Sequence, residues 1–225
     1  MSDLLHFCEH TLQEVALVIM ALVYITRIIW YFRFNAGRDR QAPTGVGTAM
    51  PKRSILYSWA NIALPQSMES TRSRPFLYAQ FVIFHLGVVA AIGLSFIIPY
   101  LPGLLDSAAM VLILQVFIGA AFAVGVIRLF RRFGSPYMRA ISTPDDYFSL
   151  LLLTVWFGFA FLAVPNNIEN GEGVMLTYFI LTAFFLLYVP FSKISHYLYY
   201  PFTRYYLGKT LGHRGVFPIK NVPQN

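Results

Sequence analysis

Five stretches of nearly uninterrupted apolar residues, at about 15–34, 76–98, 108–130, 147–164 and 174–200, constrain this chain more than any other feature. A bilayer core needs roughly 20 helical residues to cross it, and a helix can do so because it satisfies its backbone hydrogen bonds within one segment. With 57% hydrophobic and only 12% charged residues, and a mean hydropathy of +0.58, the 225-residue chain is too apolar for a soluble domain. The expected fold class is an all-α membrane protein, a five-transmembrane-helix bundle forming one domain over 1–225.

The connections alternate in charge. Arg38, Arg40, Lys52, Arg53, Arg72 and Arg74 lie between the first two stretches, Arg131, Arg132 and Arg139 between the third and fourth, and Arg204, Lys209, Arg214 and Lys220 after the fifth. The N-terminal segment Met1–His10 and the other two turns contain no Lys or Arg. The positive-inside rule then gives an outside N-terminus, a cytoplasmic loop over 35–74 and a cytoplasmic tail over 201–225. The same distribution argues against a nucleic-acid partner, because the formal charge of +7 is spread over loops and forms no single stripe.

Without a basic n-region, Met1–His10 does not read as a cleavable signal, so the first helix is expected to stay as an anchor. Ser54–Leu64 is apolar but too short to span, and reads as a helix lying in the interface or against a partner subunit. Thr143 and Pro144 have the character of an N-cap and first helical residue. Asp145 and Asp146 in the following turn suit capping more simply than proton transfer.

Two histidines fall inside the apolar stretches, His85 in the second and His196 near the end of the fifth. An imidazole in hydrocarbon is costly without a partner and marks a functional site by default. At a helical rise of 1.5 Å per residue, His85 lies roughly 16 Å from Arg74 and His196 roughly 12 Å from Arg204. Imidazoles at similar depth on different helices can face each other across a porphyrin. They can equally be hydrogen-bonded between helices or serve proton transfer. If a haem is present, its propionates favour the basic side, where Arg27, Arg74, Arg128, Arg131 and Lys193 are the candidates; Arg27 can alternatively snorkel to the headgroups. Cys8, the single cysteine, excludes an internal disulfide, a cysteine-ligated iron-sulfur cluster and c-type haem attachment within this chain. His6 and His10 have i, i+4 spacing without an obvious third ligand, and His213 lies in the polar tail.

Phe84-His85-Leu86-Gly87, the block Arg131 to Ala140 (RRFGSPYMRA) and the block Val189 to His196 (VPFSKISH) resemble the gamma subunit of respiratory nitrate reductase and related membrane cytochrome b subunits of sulfate-reducing bacteria. Among these, the small cytochrome b subunits of high-molecular-weight cytochrome complexes are the most similar type. The resemblance implies a five-helix bundle in a bacterial cytoplasmic membrane, with His85 and His196 ligating one haem b. It also implies a quinone and a cytoplasmic iron-sulfur subunit as electron-transfer partners, other integral membrane subunits, and in some complexes a periplasmic multihaem cytochrome c. The nitrate reductase branch usually holds a second haem, but Ser95 and Tyr178 stand where its ligands would be, so one haem is expected. A haem-free anchor that recruits redox subunits is the alternative. A transporter fits less well, since no pair of broken helices or buried carboxylate marks a pathway.

Overall fold

The structure, a computed structural model, describes residues 1–34, 40–42, 51–64, 72–169 and 171–218. Arg38 and Lys220 therefore lie outside the described residues. The described chain is helical: α1 Asp3–Glu9, α2 Thr11–Arg33, α3 Pro51–Ala63, α4 Pro75–Tyr100, α5 Ala108–Gly134, α6 Pro136–Ile141, α7 Pro144–Ala163, α8 Gly173–Tyr188 and α9 His196–His213. No strand occurs among the described residues. Five segments are long and apolar enough to cross a membrane: Asp3–Arg33, Pro75–Tyr100, Ala108–Gly134, Pro144–Ala163 and Gly173–Phe191. By length and composition this is a multi-pass membrane protein.

Both outer bounds of the expected spans shift for local reasons. The first span begins at Asp3 because the Ser2 hydroxyl accepts the Leu5 amide at 3.2 Å and starts α1, with only His10 separating it from α2. The last span ends at Phe191, not near Tyr200, which corrects the expected 174–200 helix. Pro190 has no N–H to give the preceding turn. The chain passes through two short 3-10 turns, Val189–Phe191 and Lys193–Ser195, before α9 starts at His196. Residues 201–213, expected as part of a polar tail, are helical.

Two compact units are distinguished, 1–29 with 78–194 and 30–77 with 195–225. In the first, burial is uneven: half of the span in α7 is buried, against 11% for the first span. Trp156 and Phe157 of α7 and Tyr178 and Phe179 of α8 are fully buried. Trp156 stacks on Phe185 at 5.1 Å between ring centroids and donates its indole N–H to Thr182 Oγ1 at 2.8 Å, so the polar end of a large aromatic is satisfied in the core. Gly87 lets α4 lie directly on α5: a Cβ there would stand 2.1 Å from that of Ala121. Close backbone approach of this kind is how helices associate where lipid supplies no hydrophobic drive.

At the opposite end of this unit, Ser2 donates its amide to Glu172 Oε1 at 2.6 Å, and its hydroxyl also donates to the Glu172 carboxylate. These bonds hold the Glu172 carboxyl below its ordinary value of 4.5. A depressed carboxyl contributes stability above its unfolded pKa and loses that contribution as pH falls through the lower folded value. We expect amide exchange in the first turn of α1, corrected for intrinsic rates, to accelerate as pH falls below the ordinary carboxyl range. Glu172→Gln should flatten that dependence; exchange equally pH-dependent in the variant counts against the tie.

The second unit is built on α3 and α9, which run antiparallel. A Cβ on Gly208 would stand 2.6 Å from Ile55 Cα, and one on Gly212 2.5 Å from Ser54 Cβ. Ser58 donates its hydroxyl to the Arg204 carbonyl at 2.8 Å, Arg204 Nε returns a bond to the Ser58 carbonyl at 2.9 Å, and Trp59 Nε1 donates to the Pro201 carbonyl at 3.0 Å. Ser54 and Ser58 are one turn apart on one helix and Gly208 and Gly212 one turn apart on the other, so both present a small-residue face. Tyr31 and Phe32 from the end of α2 pack on Phe202 of α9 at 5.5 and 5.4 Å between centroids. Gly208→Leu should destabilise this pair by about 1–3 kcal/mol through overpacking. A thermal melt, together with exchange at α3 amides, reads that loss; unchanged α3 protection would show that the helices do not need this approach.

Candidate functional site

His85 stands in the middle of α4, half-buried. Its Nδ1 is 2.7 Å from the carbonyl of Phe81, one turn earlier, and its ring lies 4.0 Å from that of Phe81. With a carbonyl as the only possible acceptor in that pair, Nδ1 carries the hydrogen and the lone pair of the neutral ring resides on Nε2. A metal-ligating histidine is commonly oriented in this way, by donating its other ring nitrogen to a backbone carbonyl. The i, i+4 relation makes the bond a local consequence of the helix.

Phe84, also on α4, contacts the His85 ring at 6.4 Å and receives the Arg128 guanidinium over its face at 5.0 Å. Arg128 is thereby directed toward the His85 turn of α4. Arg131, one turn further along α5, is exposed. The following block folds as a helical corner: Ser135 caps α6 with Pro136 at its first position, Arg139 donates to the Phe133 carbonyl at 2.7 Å, and Arg132 donates to Ser142 Oγ at 2.5 Å.

Arg27 and Lys193 converge on the broken end of the last span. In a continued helix the Pro190 carbonyl would accept from the amide of Ile194, but that amide goes to Ser192 Oγ at 3.2 Å. Arg27 donates to the released Pro190 carbonyl and lies 5.2 Å from the Phe191 ring centroid. Of the two readings of Arg27, snorkelling or a propionate contact, neither anticipates this bond to the chain itself. Lys193 Nζ is 2.9 Å from both Asp146 Oδ2 and Thr143 Oγ1. Asp146 also accepts the Thr143 amide at 2.8 Å, which closes the start of α7 as a cap. Asp145 accepts the Tyr188 hydroxyl. The Thr143–Asp146 cap matches the sequence expectation, whereas the contacts of Arg27, Lys193 and Tyr188 do not follow from it, Pro190 being the one visible signal of the break.

His196, Arg74 and the aromatic residues of α9 belong to the second unit. His196 is the first residue of α9 and is exposed, five positions beyond the end of the apolar span at Phe191. Its expected place inside the last hydrophobic helix is therefore corrected, and the equal-depth argument for the two histidines does not carry through the break. Arg74 immediately precedes α4 and is exposed.

Ser95 and Tyr178, the residues at the positions of a second ligand pair, are both bonded to the α4 backbone. Tyr178 donates to the Ala91 carbonyl and Ser95 to the Ile92 carbonyl, each at 2.7 Å. Ala91, Leu94, Trp156 and Tyr178 are all fully buried there, so side chains occupy that layer of the bundle. A groove of about 560 Å³ along α5 and α7, lined by Gly119, Phe122, Gly158 and Phe161, has no polar side chain to orient a quinone head.

Removing the Arg27 head group leaves the Pro190 carbonyl without its donor. We expect Arg27→Met to lower stability by about 1–3 kcal/mol, measured by thermal unfolding in detergent, and Arg27→Lys to lose less. Equal stability of Arg27→Met and the parent would remove this bond as a support of the break.

No family model and no solved structure matches the chain. It is similar to a protein of Nitratidesulfovibrio vulgaris (strain Hildenborough), 25% identical over 197 residues, which are 82% of this chain and 83% of that protein.

Proposed function

We propose that this chain is a b-type haem subunit of a membrane electron-transfer complex, with His85 and His196 as the axial ligands. The observation that carries the reading is the His85 ring: its Nδ1 faces the Phe81 carbonyl at 2.7 Å, which fits the donor chemistry of an iron ligand through Nε2. A haem bound by these residues supplies a one-electron ferric/ferrous couple. In this reading the Phe81 carbonyl holds the imidazole tautomer and increases its basicity. Arg74 and Arg131 are exposed bases suited to propionates, while Arg27, Arg128 and Lys193 are already engaged by the Pro190 carbonyl, the Phe84 ring and Asp146. Electrons would pass between a membrane quinone and a cytoplasmic iron-sulfur subunit, alongside other integral membrane subunits and, in some assemblies, a periplasmic multihaem cytochrome c. Bases concentrated at the span ends support a cytoplasmic C-terminus and a bacterial cytoplasmic membrane as the location.

The second reading is a haem-free anchor that recruits redox subunits. It is favoured by the exposed position of His196 outside the apolar span and by the internal engagement of three of the five expected propionate bases.

A reduced-minus-oxidised spectrum of the purified chain separates the two. We expect a b-type signal that is lost in His85→Ala and in His196→Ala, while both variants keep the helical circular dichroism of the parent. Folded parent protein without such a signal rejects the cytochrome reading. A signal that survives His196→Ala rejects His196 as a ligand.

A further inference from the structure

The second unit has its polarity reversed. On α3 the residues packed on α9 are small and polar, Ser54 and Ser58 at 0% exposure, with Asn61 at 7% one turn on; Leu56 at 64% and Ile62 at 42% are exposed, and Trp59, bonded to the Pro201 carbonyl at its indole nitrogen, still leaves 42% of its surface outward. A helix on a water-facing surface shows the opposite arrangement. On α9, Tyr197, Tyr200 and Leu207 are likewise exposed. Tyrosine and tryptophan favour the boundary between headgroups and acyl chains, where one part of the ring system is apolar and the other wet.

Charge points to the chemistry of what lies outside. Residues 30–77 and 195–225 hold eleven of the seventeen Lys and Arg but two of the ten Asp and Glu. Lys52 and Arg53 are exposed in the first turn of α3, and Lys209 is exposed on α9, beside the Gly208 and Gly212 contacts that bring this end of α9 against the start of α3. One end of the helix pair is thus basic, and the face leading away from it is aromatic and aliphatic. Each chain crossing into this unit, at 29/30, 77/78 and 194/195, comes within or just beyond a membrane-spanning segment.

We propose that the α3–α9 pair is an interfacial platform for anionic phospholipid. Leu56, Trp59 and Ile62 sit at the acyl boundary, and Lys52, Arg53 and Lys209 take the phosphate headgroups. Burial of the apolar face supplies lipid contact of any kind, and the bases supply the preference for negative headgroups. Ser54, Ser58, Gly208 and Gly212 keep the two helices together so that both sets of side chains face one surface. A docked protein would need a complementary acidic surface and would shield Trp59 from lipid.

The test uses the full chain in vesicles and takes the fluorescence of Trp59 as the difference between the parent and Trp59→Phe. Brominated phosphatidylglycerol should quench that contribution more than brominated phosphatidylcholine at the same mole fraction. K52Q/R53Q should reduce the preference by about fivefold or more. Quenching by aqueous iodide without quenching by either brominated lipid overturns the proposal, as does equal quenching by both lipids unaffected by K52Q/R53Q. Shielding from lipid and iodide alike in protein isolated with its native subunits assigns the face to a protein partner and also overturns it. Should Trp59→Phe lose the helix pair, the anionic phospholipid retained per chain by the parent and by K52Q/R53Q/K209Q gives the same decision, with equal retention overturning the proposal.

Discussion

The bilayer's demand that every backbone polar group find a partner governs this protein. Helices meet that demand along the spans, and where the last span stops the demand reappears as a discrete event. Proline at position 190 ends the regular ladder, and the carbonyl set loose there is taken by an arginine from the first span. An apolar medium makes such a bond worth more than its counterpart in water, because the competing solvent is missing. Around it, Lys193, Asp146 and Thr143 tie the same segment to the start of α7. The break is thus held by specific partners from two other helices.

The core of the first unit follows the same logic on a larger scale. Aromatic residues fill it, and their polar atoms are matched internally, Trp156 with Thr182 and Tyr178 with the backbone of α4. A polar hydrogen bond sunk in such a layer costs little when complete and much when broken. The layer containing Ser95 and Tyr178 is therefore a structural element in its own right, closed by van der Waals packing and by hydrogen bonds to the α4 backbone.

Much of the architecture is legible in composition alone. Runs of apolar residues fix the number of spans, and Thr143, Pro144 and Asp146 announce the start of α7 by ordinary capping chemistry. The fifth span reads as too long in the sequence because Ile194 and the aromatic run Tyr197 to Tyr200 follow Pro190 closely, and hydropathy does not register a missing amide hydrogen. His85 is recognisable as an imidazole within an apolar helix, yet the Phe81 carbonyl that orients it is backbone and leaves no compositional trace beyond its spacing. The partners of Arg27 were hidden for a related reason: the acceptor exists only because the helix breaks. The α3–α9 pairing was unreadable from hydropathy, since it rests on glycines in a segment that looks like a tail.

The Ser54/Ser58 and Gly208/Gly212 contact leaves almost no tolerance for sliding, because backbone meets backbone with no side chain between. A shift of α3 by one residue would bring arginine, tyrosine, isoleucine or tryptophan into the gap, and a shift of α9 leucine, lysine or histidine, none of which it accepts. The contact therefore acts as a ruler that sets the register of α9 against α3, and those four positions admit only the smallest side chains.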